Sequence, residues 1–104
     1  MVNAKVELLK FLEEKPEVKC ALVSFISVNP DTDIKEFTLK DNYLESDWEA
    51  FLTFLDFEYD DWHTVQQLFG IVWTKTPGWC DRAAYHGKEW WVYHKIPEIP
   101  DVCL

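Results

Sequence analysis

The feature that most constrains the fold is a series of three short, aromatic-rich segments separated by turn signals in the last third of the chain. The segments are Leu68 to Thr74, Trp79 to Tyr85 and Trp90 to Lys95, and their composition is typical of strands. Between them, Pro77-Gly78 fits the centre of a type II turn and His86-Gly87 fits a two-residue type I′ turn. This spacing predicts an antiparallel meander.

Two helices are predicted upstream of the meander. Asn3 is a suitable cap for a first helix that runs to about Glu14, with apolar residues at helical spacing. Ser46 to Glu49 has the pattern of a capping box, and the helix that follows it ends near Asp56. Both helices carry an apolar stripe, so both are expected to pack against a sheet.

The remaining segments complete an α+β fold. Residues Val18 to Val28 and Lys35 to Lys40 are predicted to form a hairpin across the loop from Asn29 to Asp33. The segment from Phe57 to Gln67 is polar, and Ile96 to Leu104 is expected to be an extended tail because of its prolines. The predicted order is α-β-β-α-β-β-β, an antiparallel sheet covered on one face by two helices.

Length and composition are those of a folded domain. The 104 residues fit a single domain, and 48% of them are hydrophobic. No apolar run is long enough to cross a bilayer, and Met1 to Glu14 is too polar for a signal peptide. We therefore expect one domain over residues 1–104, in the cytoplasm and without membrane contact.

The negative charge is concentrated in one part of the chain. The net charge is -9, and residues 41–74 hold eight of the 19 acidic residues but neither lysine nor arginine. Such a field repels nucleic acid and attracts basic surfaces. The expected partner is a protein with a basic surface, and no direct binding of nucleic acid is expected.

Carboxylates of this acidic stretch are the predicted partner-binding residues. Glu45, Glu49 and Asp56 fall near one stripe of the second helix, opposite its apolar residues. The following loop adds further carboxylates, and Trp62 is a candidate aromatic anchor beside them. The predicted site consists of Glu45, Glu49, Asp56, Glu58, Asp60, Asp61 and Trp62. A solvated helix face without a partner would show the same pattern.

Tryptophans of the meander offer a second kind of interaction surface. Trp90 and Trp91 are adjacent in one strand, so alternation sends them to opposite faces and at least one lies away from a one-sided core. Exposed aromatic side chains are common anchors of protein interfaces, although cross-strand packing also accounts for them. A structural or interaction module that binds a partner through these aromatics is the alternative function.

Signals for catalysis or for a bound cofactor are weak. The three cysteines are widely spaced, which favours reduced thiols, and Cys20 is expected in the core. Residues 56–61 lack the glycine and the distal glutamate of a calcium loop. No nucleophile motif accompanies a possible set of Cys80, Asp81 and His94. We predict a non-catalytic protein without metal or cofactor, and a small hydrolase is a minor alternative.

The C-terminal half resembles small proteins, mostly uncharacterised, that are encoded by bacteriophages and prophages. Those proteins close with a Thr-Trp, an Arg, a Tyr-x-Gly-x-Glu-Trp-Trp motif and a Pro-x-Ile-Pro motif. The matching residues here are Trp79, Arg82, Tyr85, Gly87, Glu89, Trp90, Trp91, Pro97, Ile99 and Pro100. The stretches from Asp56 to Asp60 and from Leu68 to Trp73 are similar too. Gly78 stands where the pattern has threonine, which affects the turn.

This resemblance implies a biological context and transfers no catalytic residue. Small acidic phage proteins often bind and block a host defence or transcription protein. The leading expectation is therefore a phage or prophage inhibitor of the anti-CRISPR or anti-restriction type. It would occupy a basic groove of a host nucleic-acid-binding protein in the host cytoplasm, with nucleic-acid mimicry as one means of doing so.

Overall fold

The computed structural model shows two helices, a five-stranded sheet and a separate two-stranded sheet. It describes residues 1–26, 34–62, 65–97 and 99–103. The helices are α1 (Ala4–Leu12) and α2 (Glu45–Leu55). The strands are β1 (Val2–Asn3), β2 (Val18–Phe25), β3 (Lys35–Leu39), β4 (Glu58–Tyr59), β5 (Leu68–Thr74), β6 (Gly78–Tyr85) and β7 (Lys88–Lys95). The predicted α+β class is confirmed.

The five-stranded sheet is antiparallel throughout, with the order β3-β2-β5-β6-β7. The meander of β5, β6 and β7 is confirmed, and so is the pairing of β2 with β3. The sequence did not predict that β2 pairs with β5, which joins the hairpin to the meander. The predicted end of the first strand, Ser27 and Val28, and the hairpin loop from Asn29 to Asp33 lie outside the described residues.

At the start of each helix a side chain accepts a hydrogen bond from a backbone amide. The Asn3 side chain accepts a hydrogen bond from the amide of Val6 at 3.1 Å, as the sequence predicts. The cap of α2 differs from the prediction: Leu44 is the N-cap residue, and the Asp47 carboxylate accepts its amide at 2.9 Å. Ser46 is therefore inside the helix. Within the described residues, no helix has the length and apolarity needed to cross a membrane.

The helices pack on one face of the five-stranded sheet, as predicted. Leu8 of α1 and Phe51 and Leu55 of α2 are fully buried, and they belong to one hydrophobic cluster with residues of β2, β3, β5, β6 and β7. Aromatic rings fill much of this layer, and Phe37 of β3 lies 5.8 Å from Phe51 between ring centroids. The helices therefore cover one face of the sheet, and no helix among the described residues lies on the opposite face.

The buried thiol belongs to Cys80, and the prediction for Cys20 is wrong. Cys80 is fully buried, whereas Cys20 is partly exposed. The pairing of β2 with β5 shifts register between Val18 and Cys20, and Cys20 then lies opposite Trp73. Because neighbours in a strand face opposite sides, Ala21 faces the core and Cys20 faces away from it.

Of the two turns predicted for the meander, one is confirmed and the other is wrong. His86 and Gly87 have φ values of 51° and 86°, which confirms the type I′ turn. Gly78 has no positive φ and pairs with Thr74 as the first residue of β6, so the predicted type II turn is wrong. A Cβ on Gly78 would lie 2.6 Å from the Tyr93 hydroxyl and 3.0 Å from the His94 carbonyl oxygen, so a larger residue there would require Tyr93 to shift.

The polar segment after α2 contains structure that the sequence did not predict. Tyr59 of β4 pairs with Val2 of β1, and Trp62 forms a bridge with Lys88 at the start of β7. In the tail, Ile96 is exposed, and a short 3-10 turn covers Asp101–Cys103. Glu98 and Leu104, which belong to the predicted extended tail, lie outside the described residues.

Stability at alkaline pH should depend on the thiol of Cys80. Burial raises the pKa of Cys80 to about 11 from an ordinary 9.0. Above pH 9 the unfolded chain loses this proton before the folded chain does, so stability falls as the pH rises towards 11. We expect a loss of about 2 to 3 kcal/mol from this group, measured by urea unfolding. The Cys80→Ala variant should lose less over the same range, and equal slopes would contradict this assignment.

Candidate functional site

The face of the sheet opposite the helices is apolar and exposed, and we call it the open face. Strand alternation places every second residue of the strands there. Its apolar members include Leu22 of β2, Phe69, Ile71 and Trp73 of β5, Trp79 and Ala83 of β6, and Trp90 and Val92 of β7. The five largest exposed side chains among them, Leu22, Phe69, Ile71, Trp73 and Trp90, are between 36% and 48% exposed. Cys20, Ser24, Asp81, Tyr85, Lys88 and His94 lie on the same face.

Cross-strand pairing places several of these side chains next to one another. Leu22 lies opposite Ile71, and Trp73 lies opposite Trp79. Between β6 and β7, Ala83 lies opposite Trp90. Facing pairs of this kind have their Cβ atoms within about 5.5 Å. Apolar side chains therefore occur on all four strands of this face, and the Asp81–His94 pair interrupts them on β6 and β7.

The two adjacent tryptophans confirm the predicted division of faces. Trp91 is 5% exposed and lies in the core, whereas Trp90 is 37% exposed on the open face. Large exposed apolar patches are uncommon on proteins that act alone, and they usually mark an interaction site.

The Asp81–His94 pair on the open face does not have the Cys80 thiol beside it, because Cys80 is buried on the other face of the sheet. The His94 Nε2 atom lies 2.7 Å from Asp81 Oδ1, and the Trp79 ring stacks on the imidazole at 5.1 Å. Cys80 points to the opposite face, into the core, and burial raises its thiol pKa to about 11. The set of Cys80, Asp81 and His94 is therefore not assembled. Among the described residues, no group of three or more histidines, cysteines or carboxylates could hold a metal ion.

The predicted acidic residues of α2 are on the surface. Glu45 and Glu49 are exposed, and within the described ranges neither has an ion pair. Asp47 is exposed as well and holds the helix cap. Their part in binding a partner stays a prediction.

Other carboxylates of the acidic stretch are paired with lysines from distant parts of the chain. Lys5 lies 3.4 Å from Asp56, and Lys88 lies 3.0 Å from Asp61. A hydrogen bond from Asn3, together with the charge of Lys5, holds the pKa of the Asp56 carboxyl below its ordinary value. Asp41 is paired in the same way with a lysine of β2. The expectation of one uncompensated acidic surface is therefore only partly met.

Trp62 and its neighbours lie beside the start of β7. Trp62 is 64% exposed, and the Lys88 ammonium lies 5.3 Å from its ring centroid. Asp60 accepts the amide of Trp62 at 2.9 Å, and Glu58 is exposed on β4. The exposure of Trp62 is compatible with an anchor role, which stays a prediction.

A buried charged cluster links α1, β4, β6 and β7, and the sequence did not predict it. Arg82 donates hydrogen bonds to Glu89 at 2.6 Å, to the Tyr59 hydroxyl at 2.8 Å and to Glu7 at 3.2 Å. The side chains of Arg82 and Glu89 are only 1% and 3% exposed. Glu89 also accepts the amides of Gln67 and Leu68. The sequence feature that could have indicated this cluster is the position of Arg82. It lies two residues from the core residue Cys80 in the same strand and therefore faces the same side of the sheet.

The charged cluster around Arg82 stabilises the fold. Burial lowers the pKa of Arg82, but the hydrogen bond to Glu89 and the charge of Glu7 outweigh it, and the net shift is upward. Burial and the hydrogen bond to Glu7 raise the pKa of Tyr59. Arg82 is thus a permanent cation that is closed to solvent, and it holds α1 and β4 to the meander.

Known proteins add no information on this site. Comparison with protein-family models, with curated proteins and with solved structures gives no match to the chain. The function therefore has to be inferred from the surfaces of the chain itself.

Proposed function

We propose that this chain is a non-catalytic binding module that docks a partner protein on its open face. The observation that carries the proposal is the set of exposed apolar side chains on β2, β5 and β7, among them Trp73 and Trp90. Aromatic side chains at the centre of such a surface supply most of the binding energy of typical protein interfaces.

The charge of the chain indicates the chemistry of the partner. A net charge of -9 attracts a protein with a basic surface and disfavours pairing of two copies of this chain. The open face itself carries the Asp81–His94 pair among apolar residues. The proposed partner therefore presents an apolar patch bordered by basic residues.

Shortening apolar side chains of the open face should weaken binding. We expect the double variant Ile71→Thr/Trp73→Thr to weaken the complex at least about tenfold, because it removes two exposed apolar side chains and keeps β-branched residues in β5. A partner captured from cell lysate on the wild-type chain would be purified and titrated calorimetrically against each variant. Trp62→Thr is the matched control, since Trp62 is exposed outside the open face.

The affinities of the open-face variant and of the Trp62→Thr control together test the proposal. It is supported if the affinity falls at least about tenfold in the open-face variant and is unchanged in the Trp62→Thr control. Equal affinity of the Ile71→Thr/Trp73→Thr variant and the wild type would overturn it. Concentration-dependent dimerisation that this variant abolishes would instead identify a second copy as the occupant, and circular dichroism would confirm that both variants are folded.

A second candidate function uses the acidic face of α2 to occupy a basic groove, as in the phage-type inhibitor implied by the resemblance. The observation that favours it is the exposure of Glu45, Asp47 and Glu49 without an ion pair in the part of the chain that the structure describes. Such a complex would weaken with added salt and with the reversal Glu45→Lys/Glu49→Lys. Insensitivity to both would leave the open face as the docking surface.

A further inference from the structure

A groove of about 480 Å³ lies between the end of α1 and the start of α2, and the open face does not include it. This volume is within the range of about 300 to 1,000 Å³ that is common for ligand sites. Leu9, Leu12, Glu13, Tyr43, Glu45 and Trp48 contribute to its lining.

The groove has an aromatic wall that is held in place. The rings of Tyr43 and Trp48 are stacked, with centroids 5.7 Å apart and planes at 23°. The Tyr43 hydroxyl donates a hydrogen bond to the Val18 carbonyl at 2.8 Å, and the Phe51 ring supports Trp48 at 5.5 Å. The wall is therefore ordered before any ligand arrives, which lowers the entropic cost of binding.

The rim of the groove is negative. Glu13, Glu17 and Glu45 are exposed at its edge, and the carboxyl end of α1 adds the partial negative charge of its last carbonyls. The positive end of α2 is already matched by Asp47, which accepts the amide of Leu44.

One lysine, Lys15, lines the groove itself, and a second, Lys75, lies at its edge. The Lys15 ammonium lies 4.9 Å from the Phe11 ring and 5.8 Å from the Tyr93 ring. The Lys75 ammonium lies 3.2 Å from the Glu17 carboxylate. Glu13 and Glu45 have no ion pair among the described residues. The groove thus combines an aromatic wall with an excess of carboxylates, because three glutamates and one lysine line it.

We propose that this groove binds the side chain of an arginine presented by the partner protein. A planar guanidinium stacks on aromatic rings and pairs with carboxylates, and its methylene stem covers apolar surface. The inference rests on the proposed binding role and deepens it, because it names the group by which a basic partner is recognised. Lys75 follows β5 directly, so the groove and the open face approach each other at the Glu17–Lys75 pair.

The test uses the isolated chain and a small probe, so its failure is separate from failure of the open-face proposal. Nα-acetyl-arginine amide would be titrated into ¹⁵N-labelled protein, and the indole signal of Trp48 would be assigned with a Trp48→Phe variant. We expect a saturable shift of that signal. Nα-acetyl-citrulline amide has nearly the same shape without the charge and should cause little shift, and Nα-acetyl-lysine amide should bind more weakly than the arginine probe.

Two variants on exposed positions complete the design. Glu13→Gln/Glu45→Gln should raise the dissociation constant for the arginine probe about threefold to tenfold, because each exposed carboxylate contributes modestly. Glu36→Gln/Asp101→Asn is the matched control, since it removes the same number of exposed carboxylates and neither residue lines the groove. Equal binding of the citrulline and arginine probes, or unchanged affinity in the Glu13→Gln/Glu45→Gln variant, would overturn the proposal.

Discussion

Replacing Arg82 with methionine is expected to lower the free energy of unfolding by about 3 to 5 kcal/mol, which is the usual cost of removing one partner from a buried ion pair. Methionine fills a similar volume but leaves the Glu89 carboxylate, 3% exposed, without a cation. Glu7 and Tyr59 also lose a donor, so the contact between α1 and the meander is weakened. Urea unfolding followed by circular dichroism measures the change.

The matched control for this variant is Lys5→Met, which breaks the exposed pair with Asp56. The two side chains of that pair are 32% and 51% exposed, and such pairs contribute about 0 to 1 kcal/mol. A similar small loss for Arg82→Met would show that the cluster is hydrated in solution, and the structural role assigned to it would be wrong.

Replacing Phe51 with alanine is expected to cost about 3 to 5 kcal/mol, because it removes a fully buried ring from the layer between α2 and the sheet. The rings of Phe37 and Trp48 lie within 5.8 Å of Phe51 between centroids and lose their contacts with it. Thermal and urea unfolding give the loss.

Phe69→Ala makes the same chemical change on the open face and is the control for Phe51→Ala. Phe69 is 36% exposed, so we expect a loss of about 1 to 2 kcal/mol from the area that its ring buries in the free chain. If both variants lost the same stability, Phe69 would be covered in solution. The sheet would then have two packed faces, and the open face would not be a docking surface.

The parts of the fold that depend on neighbouring residues could be predicted from the sequence. The bounds of β5 and the cap of α1 at Asn3 agree with the predictions, because alternation and capping involve residues only a few positions apart. The split between Trp90 and Trp91 follows from the same alternation. Gly78 was misjudged because its constraint comes from Tyr93 on the next strand.

The parts that depend on distant residues could not be predicted. Glu7 and Arg82 are 75 positions apart, and no local pattern indicates that they meet. The lysines that pair with Asp56 and Asp61 likewise come from α1 and β7, so charge counted along the chain overestimates the acidic surface. The open face was predicted only as an alternative, because alternation shows that one side of a strand is exposed without showing how far the exposed surface extends.

The two outer strands of the five-stranded sheet limit how copies of this chain can assemble. β3 is five residues long and carries the charges of Lys35 and Glu36. At the other border, Trp62 bridges the start of β7 at Lys88, and Lys95 ends that strand. Short, charged or capped borders resist the strand-by-strand addition that produces fibrils. Copies of this chain are thereby kept from joining strand by strand, and the open face stays available to a partner protein.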